Sequence, residues 1–191
     1  MTDWTIVLWN DARQIAQHAK IDKDSWPDEA IAPQTHFETL RQNGEDSLAT
    51  LFIASALPRL EAITWVANVL PQADKTHPDF RDRRQLRDMI QRWVDDPDDK
   101  NRRAIFDIAE ESDPEWPETL LGLAVYFSGG SIAPPDLDPV LPNPEIAAHL
   151  AAATLQIAAV ENLKTDENFL NRALDLAHNV AVKGQDSLRA G

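Results

Sequence analysis

Apolar and polar positions follow helical spacing along most of the chain. The clearest case is residues 80–95, where Asp88 and Arg92 lie on a charged face and are spaced to form an ion pair. The apolar residues of this segment recur at intervals of three and four: Leu86, Met89, Ile90, Trp93 and Val94. This periodicity predicts an amphipathic helix.

Other segments carry helix boundary signals. Asn10 or Asp11 is suited to cap a first helix, and Thr35-His36-Phe37-Glu38 has the spacing of a capping box. Residues 4–9 are either a short strand or the lead-in to the first helix. Further helices are expected at 46–57, 60–70, 98–109, 117–127, 144–160 and 165–183. For the helix that ends at 127, Asp113-Pro114 and Trp116-Pro117 both offer starts. The predicted fold is therefore all-α, a compact bundle of about eight helices with a proline-rich loop between the last helix pairs. We expect a single domain over residues 1–191, or one in which residues 1–34 pack more loosely.

The two helices around the proline-rich loop differ in pattern. Residues 120–127 are apolar around nearly the whole circumference, which is typical of a central helix. Asn143-Pro144-Glu145 offers a start for the next helix, with Asn as cap and Pro in the first position. The predicted buried stripe of that helix is Ile146, Leu150, Ala153, Ile157 and Val160. The alanines beside the stripe would permit a close helix approach.

The loop itself carries Pro134, Pro135, Pro139, Pro142 and Pro144, which fix the backbone φ angle and stiffen the segment. One interpretation is a recognition surface, because a stiff loop loses little entropy when it binds. The other, which we prefer from sequence alone, is a connector held across the helices of its own domain. In that case its apolar residues would be buried: Leu137, Val140 and Leu141.

Charge and composition restrict the partners. The net charge is −14, with 32 acidic against 18 basic residues, which disfavours nucleic acid and anionic membranes. From residue 104 to 163 there are ten Asp and Glu and no Lys or Arg. A protein partner of basic character is compatible with this surface. The chain has no cysteine, so disulfides, thiolate metal sites and cysteine nucleophiles are excluded. We expect a cytoplasmic protein, since neither a signal peptide nor an apolar run of membrane length is present.

No motif identifies a reaction, and no catalytic, metal or cofactor residue is assigned. Ser128-Gly129-Gly130-Ser131 matches neither a P-loop nor a nucleophile elbow, and is better explained as a helix end. The acidic run 95–99 lacks the glycine and the closing glutamate of a calcium-binding EF-hand, so a turn that caps a helix is preferred. Glu145 and His149 are four residues apart and could offer two metal ligands, but no further ligand supports them.

One passage resembles a known sequence pattern. Trp116, the run Phe127-Ser128-Gly129-Gly130-Ser131 and the following Ile132-Ala133-Pro134-Pro135 are similar to the W…SGGS-APP signature of an uncharacterised bacterial family. The resemblance includes Asn101-Arg102-Arg103 and spans about residues 60–181. It implies no established activity and no catalytic residues. It also implies an association with type VI secretion gene neighbourhoods, which we keep as an alternative.

The sequence is thus most consistent with a non-enzymatic adaptor that binds a protein partner. The candidate partner-binding residues are Trp116, Ser131, Pro134, Pro135, Asp136 and Asp138. Three alternatives remain open: a secretion accessory protein, an immunity protein that neutralises a basic toxin, and a metal-dependent enzyme. The sequence does not indicate the oligomeric state.

Overall fold

The described part of the protein, residues 3–134 and 136–188 of the computed structural model, is all helical and contains no strand. This confirms the all-α prediction, with nine α-helices in that part of the chain. They are α1 (Ala12–His18), α2 (Pro33–Gln42), α3 (Asp46–Ala56), α4 (Arg59–Val69), α5 (Phe80–Asp95), α6 (Asp99–Glu111), α7 (Pro117–Phe127), α8 (Ile146–Asn162) and α9 (Phe169–Lys183). Short 3₁₀ turns lie at Lys23–Ser25 and Gly184–Leu188.

Several helix ends follow from local chemistry. The Asp11 carboxylate accepts the Arg13 amide at the start of α1, and the Asp98 carboxylate accepts the Asn101 amide at the start of α6. Pro117 occupies the first turn of α7, where its missing N–H costs nothing. The acidic run 95–99 therefore acts as a helix-capping turn, as expected.

Other boundaries differ from the prediction. Helix α2 begins at Pro33 with Ala32 as its cap, so Thr35 lies inside the helix and the predicted capping box does not form. Helix α8 begins at Ile146, after a turn in which the Ile146 amide donates to the Asn143 carbonyl. The expected Asp88–Arg92 pair is replaced by Arg84–Asp88, at 3.6 Å and largely exposed.

The core lies between α3, α4, α7, α8 and α9. Trp65 of α4 is fully buried and donates from Nε1 to the Ala173 carbonyl of α9 at 2.8 Å. Helix α7 packs most extensively on α8 and α6, which confirms its central position. The N-terminal segment is a lead-in without strand structure, and the Thr5 and Ile6 amides donate to the Ala181 carbonyl of α9.

Helix α8 is rotated relative to the prediction. Its buried face consists mainly of small residues: Ala147, Ala148, Ala151, Ala152, Thr154, Leu155 and Ala158. The larger residues predicted to be buried lie on the partly exposed side instead, where Leu150 still packs in part against the core and Val160 is 75% exposed. The physical reason is that alanines let α8 approach its neighbours closely, so the small face fills the core. The bulky face is left at the surface.

Candidate functional site

Two arginines of α6 hold the beginning of the proline loop, which we define as residues 131–145. Arg102 is 3% exposed, and its guanidinium donates to the carbonyls of Tyr126 at 2.6 Å and Ser131 at 2.8 Å. Arg103 donates to the carbonyls of Ser131 at 2.8 Å and Ala133 at 3.1 Å. These contacts fix the end of α7 and the first residues of the loop to α6.

The arginines are themselves fixed by Asp99 and Tyr126. One Asp99 oxygen accepts from Arg102 and the other from Arg103, both at 2.9 Å from Nε. Hydrogen bonds from Arg102 and then Arg103 lower the pKa of the Asp99 carboxyl below its usual value. The Arg102 guanidinium also lies 4.8 Å from the Tyr126 ring centroid, and the Tyr126 hydroxyl donates to the Ile132 carbonyl at 3.0 Å.

Within the loop, Ser131 closes a tight turn. Its Oγ accepts the amides of Ala133 at 3.1 Å and Val140 at 3.0 Å, while the Ile132 amide donates to the Val140 carbonyl at 2.8 Å. Gly130 precedes the turn at φ +69°, a left-handed conformation that favours glycine. Ser131 is therefore a structural residue of the loop rather than a nucleophile candidate.

The apolar side chains of the loop point to solvent. Leu137, Val140 and Leu141 are 60%, 52% and 74% exposed. The preferred sequence interpretation was therefore right that the loop is held across its own helices, but wrong that these three residues are buried. The turn is fixed through backbone carbonyls, amides and Ser131 Oγ, which leaves the hydrophobic side chains outside.

The structure brings together part of the predicted set. Ser131, Pro134, Asp136 and Asp138 all belong to the loop, and the last three are exposed. Pro135 lies outside the described residues. Trp116 caps the opposite end of α7, and an 11-residue helix of about 16 Å separates it from the loop. Trp116 therefore lies at the other end of α7 from the loop residues.

Glu145 and His149, the two possible metal ligands, each bind another group of the protein. The Glu145 carboxylate pairs with Lys20, whose hydrogen bond lowers the pKa of that carboxyl. His149 donates from Nε2 to the Ala19 carbonyl at 2.7 Å. Across residues 3–134 and 136–188, no group of three or more His, Asp or Glu side chains is arranged to hold a metal ion.

A buried ion cluster joins three helices and was not predicted. Arg83 of α5 and Glu118 of α7 are 3% and 1% exposed, and Arg83 Nε donates to Glu118 at 2.8 Å. The same guanidinium donates to Glu161 near the end of α8 at 3.2 and 3.0 Å. One guanidinium thus joins the start of α7 to the end of α8, so these two helices run antiparallel.

The roles of the two anchoring arginines were also missed, although both lie in the passage that carried the resemblance. The available signal was their placement shortly after a capping aspartate, with Asp99 three and four residues before them. Sequence gives no means of pairing a guanidinium with backbone carbonyls about 25 to 30 residues away. A contact of this kind is visible only in the folded chain.

In a comparison with protein families, a family model matches residues 36–181, that is 146 of 191 residues. The chain belongs to the family of unknown function DUF6931. This confirms the resemblance to an uncharacterised family, and the match begins further toward the N-terminus than residue 60. The matched region includes α6, α7, the proline loop and α8. It therefore contains Arg102 and Arg103, which together we call the arginine anchor.

No curated protein and no solved structure matches the chain at a significant level. Among the residues that the structure describes, no helix combines the length and the apolar character needed to cross a bilayer.

Proposed function

We propose that this protein is a non-enzymatic adaptor that binds a partner protein through the proline loop and the acidic residues beside it. The observation that carries the proposal is the combination of a fixed backbone with exposed apolar side chains. The side chains of Leu137, Val140 and Leu141 are exposed to solvent. The loop that carries them is held by the hydrogen bonds of Arg102 and Arg103. Exposed apolar groups on a rigid support are typical of a binding surface.

Rigidity supports the proposal energetically. A flexible loop loses conformational entropy when it binds, at roughly 1–2 kcal/mol for each backbone residue that becomes fixed. Here the Ser131 hydrogen bonds and the prolines have already restricted the backbone before any partner arrives. Burial of the three apolar side chains is then opposed by little ordering cost.

Charge supports a basic partner. Asp136 and Asp138 are exposed on the loop and form no ion pair among the described residues. The segment 104–163 to which they belong carries no Lys or Arg, and the two arginines that contact the loop, Arg102 and Arg103, are both paired with Asp99. Such a field raises the association rate of a basic partner and weakens as salt is added.

The test is affinity purification from the encoding organism with the wild-type protein and two double variants. Asp136→Asn with Asp138→Asn removes two loop charges. Asp28→Asn with Glu29→Gln removes two charges at an exposed site outside the family region and serves as the matched control. We expect a basic protein to be retained by wild type and control, and lost from the loop variant and at high salt. Equal recovery with all three proteins across a salt series would contradict the proposal.

We also propose two biological processes in which such an adaptor could take part. An adaptor of this kind fits a cytoplasmic accessory role in a type VI-like secretion system, or an immunity protein that covers a basic toxin. Expression beside a candidate toxin separates the two, because only an immunity protein protects the cells.

A further inference from the structure

The outward face of α8 is apolar, although it lies at the surface. The apolar residues on the side of α8 opposite its buried alanines are Ile146, Leu150, Ala153, Ile157 and Val160, of which Leu150 also packs in part against the core. The first four are partly exposed, and Val160 is 75% exposed. A surface helix normally carries polar residues on this side, whereas α8 is apolar on both sides.

Helix α7 also has a partly exposed apolar side. It consists of Leu120, Leu123 and Phe127, at intervals of three and four, and Leu123 also packs in part against the core. Helices α7 and α8 pack against each other and run antiparallel, because Arg83 contacts the start of one and the end of the other. We call these eight side chains the α7–α8 face. At one end the chain continues into the exposed Leu141 of the proline loop.

Acidic residues lie at both ends of this face. Asp113 and Glu115 precede α7 and are exposed, next to the end of α8. Asp136 and Asp138 occupy the loop at the other end. No Lys or Arg occurs between residues 104 and 163. These four acidic residues form the border of the apolar strip, which follows α8, a helix of 17 residues that is about 25 Å long. Basic side chains also lie at its ends: Lys20 pairs with Glu145 at the start of α8, and Lys164 lies just after its last residue.

We propose that the α7–α8 face binds a basic amphipathic helix of a partner protein. Apolar residues on one side of such a helix would pack against the face, and Lys or Arg on its flanks would meet the acidic ends. A second copy of this chain fits less well, because two copies would bring the same acidic borders together at a net charge of −14 each. This inference rests on the proposed adaptor function and names the chemistry of its partner.

The test uses two synthetic 18-residue peptides of identical composition, measured by fluorescence anisotropy. One has leucines at intervals of three and four with lysines elsewhere, and the other has the same residues in scrambled order. We expect the amphipathic peptide to bind wild-type protein at least about tenfold more tightly than the scrambled one, since only it presents a continuous apolar side. Equal binding of both peptides would show attraction by charge alone and overturn the inference.

Two lysine variants locate the binding site. Val160→Lys places a charge on the face, while Thr39→Lys adds the same charge at an exposed residue of α2. We expect Val160→Lys to weaken the amphipathic peptide at least about tenfold and Thr39→Lys to change it less than about twofold. Equal effects of the two variants would overturn the inference.

The remaining outcomes separate the inference from the proposed function. Loss of peptide binding with Asp136→Asn and Asp138→Asn, but not with Val160→Lys, would place the contact on the loop. The helix-face inference would then fail while the adaptor proposal stands. A dimer in sedimentation that Val160→Lys dissociates would make a second copy the occupant, which would also overturn it.

Discussion

Replacement of Arg102 by methionine tests whether the arginine anchor fixes the proline loop. The change keeps an unbranched apolar chain and removes the guanidinium of a residue that is 3% exposed. Two backbone carbonyls then lose a charged donor, those of Tyr126 and Ser131. A hydrogen bond from a charged group contributes about 1.5–3 kcal/mol to stability.

The net cost follows from what remains. The Ser131 carbonyl still accepts from Arg103, so only the Tyr126 carbonyl loses its side-chain donor completely. Asp99 is 60% exposed, and the loss of its pair with Arg102 adds only about 0–1 kcal/mol. We therefore expect Arg102→Met to lower the free energy of unfolding by about 2–4 kcal/mol.

Urea unfolding at pH 7 measures the loss, and amide hydrogen exchange locates it. Arg84→Met is the matched control, because Arg84 makes only an exposed pair with Asp88 and should cost less than about 0.5 kcal/mol. In Arg102→Met the amides of Ile132 and Val140 should exchange faster than in wild type, since their turn is released. A cost equal to that of Arg84→Met, or unchanged exchange at both amides, would refute the reasoning.

Three further changes test other parts of the structure by urea unfolding. Gly130→Ala should destabilise the protein by about 1–2 kcal/mol, because φ is +69° and the added Cβ would lie 3.0 Å from a guanidinium nitrogen of Arg102. Gly129→Ala is the control, since a Cβ there meets nothing within 4 Å. Equal costs of the two changes would contradict this prediction. Glu118→Gln should cost about 2–4 kcal/mol, since it leaves Arg83 buried with one carboxylate partner; a cost below about 1 kcal/mol would be inconsistent with a buried pair. Burial lowers the pKa of His36 from 6.5, so the folded protein favours the neutral ring. Its contribution to stability is complete above pH 6.5 and is lost as the pH falls through that value toward the folded pKa, by at most about 1.4 kcal/mol per pH unit. His36→Gln should flatten this dependence between pH 7 and 5, and an unchanged slope would count against the interpretation.

Helix positions could be predicted where local chemistry decides them. Helix α5 has the predicted bounds, because its apolar spacing is regular and Pro97 follows. Asp11 and Asp98 cap the helices they precede. The start of α2 was misplaced because two signals competed, and a proline suited to the first turn at Pro33 outweighed the Thr35 pattern.

The orientation of α8 could not be predicted from periodicity. Both of its sides are apolar, so spacing alone does not distinguish the face that enters the core. Burial of the larger side chains would remove more apolar area from water. However, Ala151 and Ala158 let α8 approach its neighbouring helices more closely than the larger residues would allow. The arginine anchor could not be predicted either. Its acceptors are backbone carbonyls, which come near the two guanidinium groups only because α6 packs on α7.

The central claim is that the proline loop is rigid before any partner binds. Backbone order parameters from ¹⁵N relaxation of the free protein measure this directly for Ile132, Leu137 and Val140. We expect values near those of the helices, about 0.85, because the loop is fixed by Arg102, Arg103 and the Ser131 turn. Values below about 0.6 at these residues would show a flexible loop and contradict the claim.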